Sequence, residues 1–128
     1  MSISLATLVV HDYDDAIDFY VNRAGFTLVS DEAQSPTKRW VVVAPPDGGA
    51  GLLLAKADGA SQLAAVGNQT GGRVAFFLST PDFAATHARM VAAGVHFREE
   101  PRHEVYGWVC VWEDLYGTTW DLLETRAG

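Results

Sequence analysis

The chain has 128 residues, 48% of them hydrophobic and 20% charged, a balance that suits one domain with a packed core. Its formal net charge of −7 argues against nucleic acid, which needs a concentrated basic surface, and gives no support for docking on an anionic membrane. No apolar run approaches membrane-spanning length and no cleavable leader is visible, so a cytoplasmic location is expected. Cys110 is the single cysteine, so no intramolecular disulfide can form, and it reads as a small buried strand residue.

In chain order, the first strand is predicted over about Ser4 to Val10. Asp12 or Asp14 then caps a helix whose Ala16, Ile17, Tyr20 and Ala24 fall on one face, and Gly25 ends it. A strand follows from Phe26 to Asp31, a turn at Gln34 to Thr37, and an apolar strand from Trp40 to Ala44. After the breaker Pro45-Pro46-Asp47-Gly48-Gly49, Gly51 to Ala55 returns as its partner. The stretch from Asp58 to Gly72 is small, polar and glycine-rich, with one helical turn predicted at Ser61 to Val66.

The order then repeats. Arg73-Val74-Ala75-Phe76-Phe77-Leu78 matches Leu5-Ala6-Thr7-Leu8-Val9-Val10 in pattern, Thr80-Pro81-Asp82 opens a second helix, and Ala93-Gly94-Val95 echoes Ala24-Gly25-Phe26. Strands are predicted near Val95 to Arg98, Trp108 to Glu113 and Thr119 to Glu124, the last two joined by a hairpin turn at Asp114 to Gly117. The reading is a single α+β domain over 1–128, with module one at about 1–57, a bridge at 58–72 and module two at 73–128.

Two strand-helix-three-strand modules with these landmarks resemble the vicinal oxygen chelate superfamily of glyoxalases, bleomycin-resistance proteins and extradiol dioxygenases. The resemblance rests most on Asp12…Ala16-Ile17-Asp18-Phe19-Tyr20…Ala24-Gly25-Phe26 and on Glu113-Asp114-Leu115-Tyr116-Gly117-Thr118-Thr119-Trp120-Asp121-Leu122. It implies two βαβββ modules that curl into paired half-barrel sheets, with a cavity between the sheets, and a homodimer.

Metal-dependent relatives carry one ligand on each of four strands. Carried over by motif spacing, those positions fall on Leu5, Leu54, Arg73 and Asp121. Leucine has no lone pair to donate and a guanidinium is a permanent cation, so one carboxylate is left and no catalytic metal or other cofactor is expected. A relocated set built from His11, His103, Glu104 and Asp121 has no ligand spacing behind it.

If Arg73 and Asp121 stand at former ligand positions, both should project from central strands, joined in an ion pair or completed by a ligand. Asp121 is then a candidate to receive a proton or orient a hydroxyl, with His103 and Tyr106 as further acid-base candidates from the loop at 102–106. Arg73 can hold an anion. Gln69 is a hydrogen-bonding candidate, Trp108 an aromatic wall, and His11 and Arg39 rim residues. The expected function is binding of a small organic molecule without a catalytic metal; the alternative is a glyoxalase-like lyase or isomerase acting on a small oxygenated or thiol-conjugated substrate.

Overall fold

The computed structural model describes residues 1–125. The fold is mixed α+β with two separate sheets, and the chain divides into two compact units, Met1–Gly67 and a second that begins at Asn68. No helix among the described residues is long and apolar enough to cross a membrane.

In the first unit, β1 (Leu5–Val10) is followed by α1 (Tyr13–Ile17), which continues as a π-helical segment over Asp18–Arg23. Next come β2 (Thr27–Ala33), β3 (Arg39–Ala44), β4 (Gly51–Lys56) and a short α2 (Ala60–Ala65). The sheet order is β1-β4-β3-β2, with β1 and β4 parallel and the other pairs antiparallel. The caps explain where the helix begins and ends. Asp12 Oδ2 accepts from the Asp15 amide at 2.9 Å, and Asp14 and Asp15 favour the positive end of the helix. Gly25, at φ 86°, takes the left-handed turn that stops it. Leu8, Leu54, Val41 and Val43 are fully buried, as is Tyr20 from the π-helical segment.

The second unit repeats the plan with β5 (Phe76–Thr80), α3 (Phe83–Ala92), β6 (His96–Phe97), β7 (Arg102–Glu104), β8 (Gly107–Glu113) and β9 (Thr119–Glu124). Its order is β5-β9-β8-β6, and β7 also pairs with β8. Asp82 Oδ1 accepts from the Ala85 amide at 3.1 Å, so Asp82 is the cap and Pro81 lies just outside the helix. The β8–β9 turn is held by Asp114 Oδ1, which accepts from the Tyr116 and Thr118 amides at 2.9 Å each. Trp112 and Trp120 face each other across β8 and β9 and stack at 4.8 Å.

The two caps correct the alignment of the halves. Asp12 and Asp82 are 70 positions apart, whereas the sequence pattern set Leu5 against Arg73, a spacing of 68. Strand β5 therefore starts at Phe76, and Arg73 falls in an exposed bend ahead of it. The terminating glycines, Gly25 and Gly94, are only 69 apart. The first helix holds one more residue than the second, and its π-helical turn absorbs it. Residues 102–104, expected as loop, form a strand because Arg102, His103 and Glu104 pair with Val109, Trp108 and Gly107.

Candidate functional site

Strand alternation divides the second sheet into two faces. One carries Trp108, Cys110 and Trp112 of β8 with Trp120 and Leu122 of β9, since Trp112 pairs with Trp120 and Cys110 with Leu122. Helix α3 supplies this face with Phe83, whose ring lies 6.3 Å from Trp108, and with His87, 4.5 Å from Phe97. His103 joins the same side, its ring 4.8 Å from Trp108. The opposite face carries Asp121, flanked by Val111 on β8 and by Phe77 on β5.

Asp121 is the most unusual polar group here. Its Oδ1 is buried without a hydrogen-bond partner among the described residues. Burial raises its pKa above the ordinary carboxylate value; the Arg102 charge pulls the other way and Glu99 adds to the rise. Arg102 donates through Nε to Glu99 at 3.0 Å and through Nη1 to Glu104 at 2.7 Å. Glu99 also accepts from the Val111 amide at 3.2 Å, filling the gap between β6 and β7 beside β8. The cation that acts on Asp121 is therefore Arg102. Glu99, which sequence reasoning passed over, holds Arg102 in place; the alternating Arg102 and Glu104 of a strand were its one available signal.

The expected Arg73–Asp121 ion pair is not among the contacts of the described residues. Phe77 is the β5 partner of Asp121, and Arg73 lies four positions earlier, about 13 Å along an extended chain. Its carbonyl accepts from the Thr70 and Thr119 hydroxyls. Gln69 lies in the exposed turn just before it. Trp108, expected as an aromatic wall beside Asp121, sits on the opposite face of the sheet and is 40% exposed.

Cys110 is fully buried, and its thiol donates to the Glu99 carbonyl at 3.1 Å. Burial, reinforced by Glu99 and Glu100, pushes its pKa up to about 11, so it is no nucleophile at neutral pH.

At the tip of the β7–β8 hairpin lies an open groove of about 520 Å³, lined by His103, Glu104, Val105, Tyr106, Gly107 and Glu124. His103 and Tyr106 thus come together at one site, while Asp121 belongs to the sheet face. His11 and Arg39 belong to the first unit. His11 is exposed just after β1. Arg39 bonds both Asp31 oxygens, at 3.0 and 2.7 Å, and Asp14 at 3.0 Å, with its guanidinium 5.1 Å from the centre of the Tyr13 ring. The hydrogen bond from Arg39 holds Asp31 below the usual carboxylate range. This network ties β2 and β3 to α1.

The strand registers also place Leu54 and Asp121, two of the positions compared with metal ligands. Leu54 pairs with Leu8 and is fully buried in the core, so the first-unit counterpart of Asp121 is Leu53, paired with Thr7. Thr7 and Leu53 in the first unit, like Phe77 beside Asp121 in the second, offer no imidazole and no carboxylate. Among the described residues, no group of three or more His, Cys, Asp or Glu side chains is placed to hold one.

A family model for the Glyoxalase/Bleomycin resistance protein/Dioxygenase superfamily matches residues 2–122. An uncharacterized protein of Shewanella frigidimarina (strain NCIMB 400) is 51% identical over 125 residues, covering 96% of this chain and 93% of its own. Among solved structures, TnmS3, an antibiotic binding protein from Streptomyces sp. CB03234, is similar with a TM-score of 0.79 and 26% identity over 98% of this chain and 97% of its own. A glyoxalase/bleomycin resistance protein from the same Streptomyces strain is similar with a TM-score of 0.75 and 28% identity, covering 95% of this chain and 99% of its own.

Proposed function

Since this chain belongs to the glyoxalase/bleomycin resistance protein/dioxygenase superfamily, we propose that it binds a small organic molecule without a catalytic metal. The observation that carries this reading is the likeness, over nearly the whole of both chains, to a protein that binds an antibiotic. The chemistry of the positions carried over from metal-dependent relatives supports it: Leu5 and Leu54 have no lone pair to donate, Arg73 is a permanent cation, and Asp121 is the one carboxylate among them. Fold likeness by itself would not decide function, because one scaffold hosts many activities.

In this reading Asp121 orients the ligand. Its Oδ1, buried without a hydrogen-bond partner among the described residues, is the polar atom that accepts from a hydroxyl of the ligand. Phe77, 63% exposed on the neighbouring strand, offers an apolar surface beside it. The protein acts in the cytoplasm as a homodimer, an arrangement that also covers open sheet edges such as β5 and β2.

The test has two arms. Purified protein is titrated with nickel, zinc, manganese and iron(II), and is screened by thermal shift against a library of aromatic and polyketide-like natural products. Stabilisation by an organic compound that is recovered unchanged, with no stoichiometric metal uptake, is the expected result; tight metal uptake would overturn it. Sedimentation velocity checks the dimer.

The raised pKa of Asp121 favours one second reading, a lyase or isomerase in which Asp121 moves a proton. Turnover of a small oxygenated or thiol-conjugated substrate that is lost in Asp121→Ala would select it. His103 and Tyr106, together in the hairpin groove, would then be tested as accessory acid-base groups.

A further inference from the structure

We propose that the groove at the β7–β8 hairpin is a subsite for the protonated amine of a flat organic ligand; this deepens the ligand-binding reading and rests on it. The groove's volume of about 520 Å³ lies in the range of small-molecule sites. Its charged lining is anionic: the carboxylates of Glu104 and Glu124, with no lysine or arginine among the lining residues. The nearby cation, Arg102, is occupied by Glu99 and Glu104. Among the described residues, no ion pair takes up the Glu124 carboxylate.

Aromatic surface completes the recognition. Tyr106 is 45% exposed at the hairpin tip, and His103 presents a ring whose tilt is fixed against Trp108. A cation between carboxylates and aromatic rings gains both charge-assisted hydrogen bonds and attraction to the ring faces. Gly107 makes the wall possible. Its φ of 120° is open to glycine, and a Cβ there would lie 3.1 Å from Glu124 Oε1. The missing side chain lets the Glu124 carboxylate lie against the backbone at the groove's edge. An anionic ligand would meet the Glu124 carboxylate directly, while Glu104 already holds the one nearby cation, Arg102.

The experiment uses three ring-matched probes at neutral pH on the full chain: an aminoacridine whose amine is carried on a methylene, so that it is a protonated ammonium, neutral acridine, and acridine carboxylate. Binding is read by calorimetry and by the Gly107 amide resonance. Aminoacridine is expected to bind at least about tenfold more tightly than acridine, with the carboxylate weakest and the difference shrinking as salt is raised. Glu124→Gln should lower aminoacridine affinity about tenfold and leave acridine unchanged. Glu104→Gln is a second variant, and the melting temperature of each confirms folding. Equal binding of cation and neutral probe would overturn the subsite while leaving the ligand-binding reading intact. Tight aminoacridine binding that neither variant weakens, or that leaves Gly107 unshifted, would do the same. If no probe binds while the natural-product screen finds a ligand, the subsite fails alone; if both are empty, both fail.

Discussion

The two units share one plan, a strand, a capped helix with a glycine stop and three further strand positions, the first of them split into β6 and β7 in the second unit, yet they use their charges differently. In the first, Arg39 sits over Tyr13 and joins Asp14 to Asp31, so charge fastens a helix to a sheet. In the second, Arg102 is held by Glu99 and Glu104 at the sheet edge and acts on Asp121. At matching registers, Thr7 and Leu53 stand in one unit and Phe77 and Asp121 in the other. A repeated scaffold fixes where side chains point and leaves their chemistry free to diverge. The half that keeps an unpaired polar group is the half to search for function.

The strongest test of equivalence is in the cores. Leu54 and Leu122 are fully buried at corresponding registers, so Leu54→Ala and Leu122→Ala should each cost about 2–5 kcal/mol by chemical denaturation. A large inequality between them would break the comparison. The caps come next: Asp12→Ala and Asp82→Ala should each cost about 1 kcal/mol, read the same way.

Asp121 should separate the halves in the opposite direction. Its pKa is raised in the folded protein, so the unfolded chain releases the proton first and folding is penalised once the pH exceeds the unfolded value. The penalty is absent in acid, grows as pH climbs from the ordinary aspartate range through the raised value, and is then constant. Glu99 and Arg102 are the charged groups that act on it. Asp121→Asn should therefore stabilise the protein at neutral pH by less than about 1 kcal/mol, after allowing for solvent screening, while weakening ligand binding. Melting curves at pH 3 and pH 7 check the sign: the gain should appear at the higher pH only. The smallest effect is expected from Arg39→Met, a slight fall in melting temperature that shrinks in high salt, because its ion pairs are partly exposed.

Much of this plan is legible in the sequence. The order of elements apart from β7, an aspartate cap at Asp12 or Asp14, the Gly25 and Gly94 stops and the Asp114 turn all follow from local chemistry. The opposite facing of Trp120 and Asp121 also follows from strand alternation. What escaped were registers. Leu52, Leu53 and Leu54 are three identical apolar residues, so no two-residue period shows which of them faces the core. The run from Val74 to Leu78 is equally unpunctuated, and its start slid forward to Arg73. The role of Glu99 was hidden for a different reason: it depends on a gap between β6 and β7 that exists only once both have paired with β8.

Cys110 has a practical consequence. With its pKa pushed up to about 11, only about one thiol in 10⁴ is ionised at pH 7, and the sulfur is covered on every side. Maleimide chemistry will therefore pass over the native protein. A cysteine introduced at an exposed site such as Val105 can carry a fluorophore or spin label against a silent background. Any slow modification of Cys110 itself becomes a clock for the opening of the second sheet, timed without touching the first.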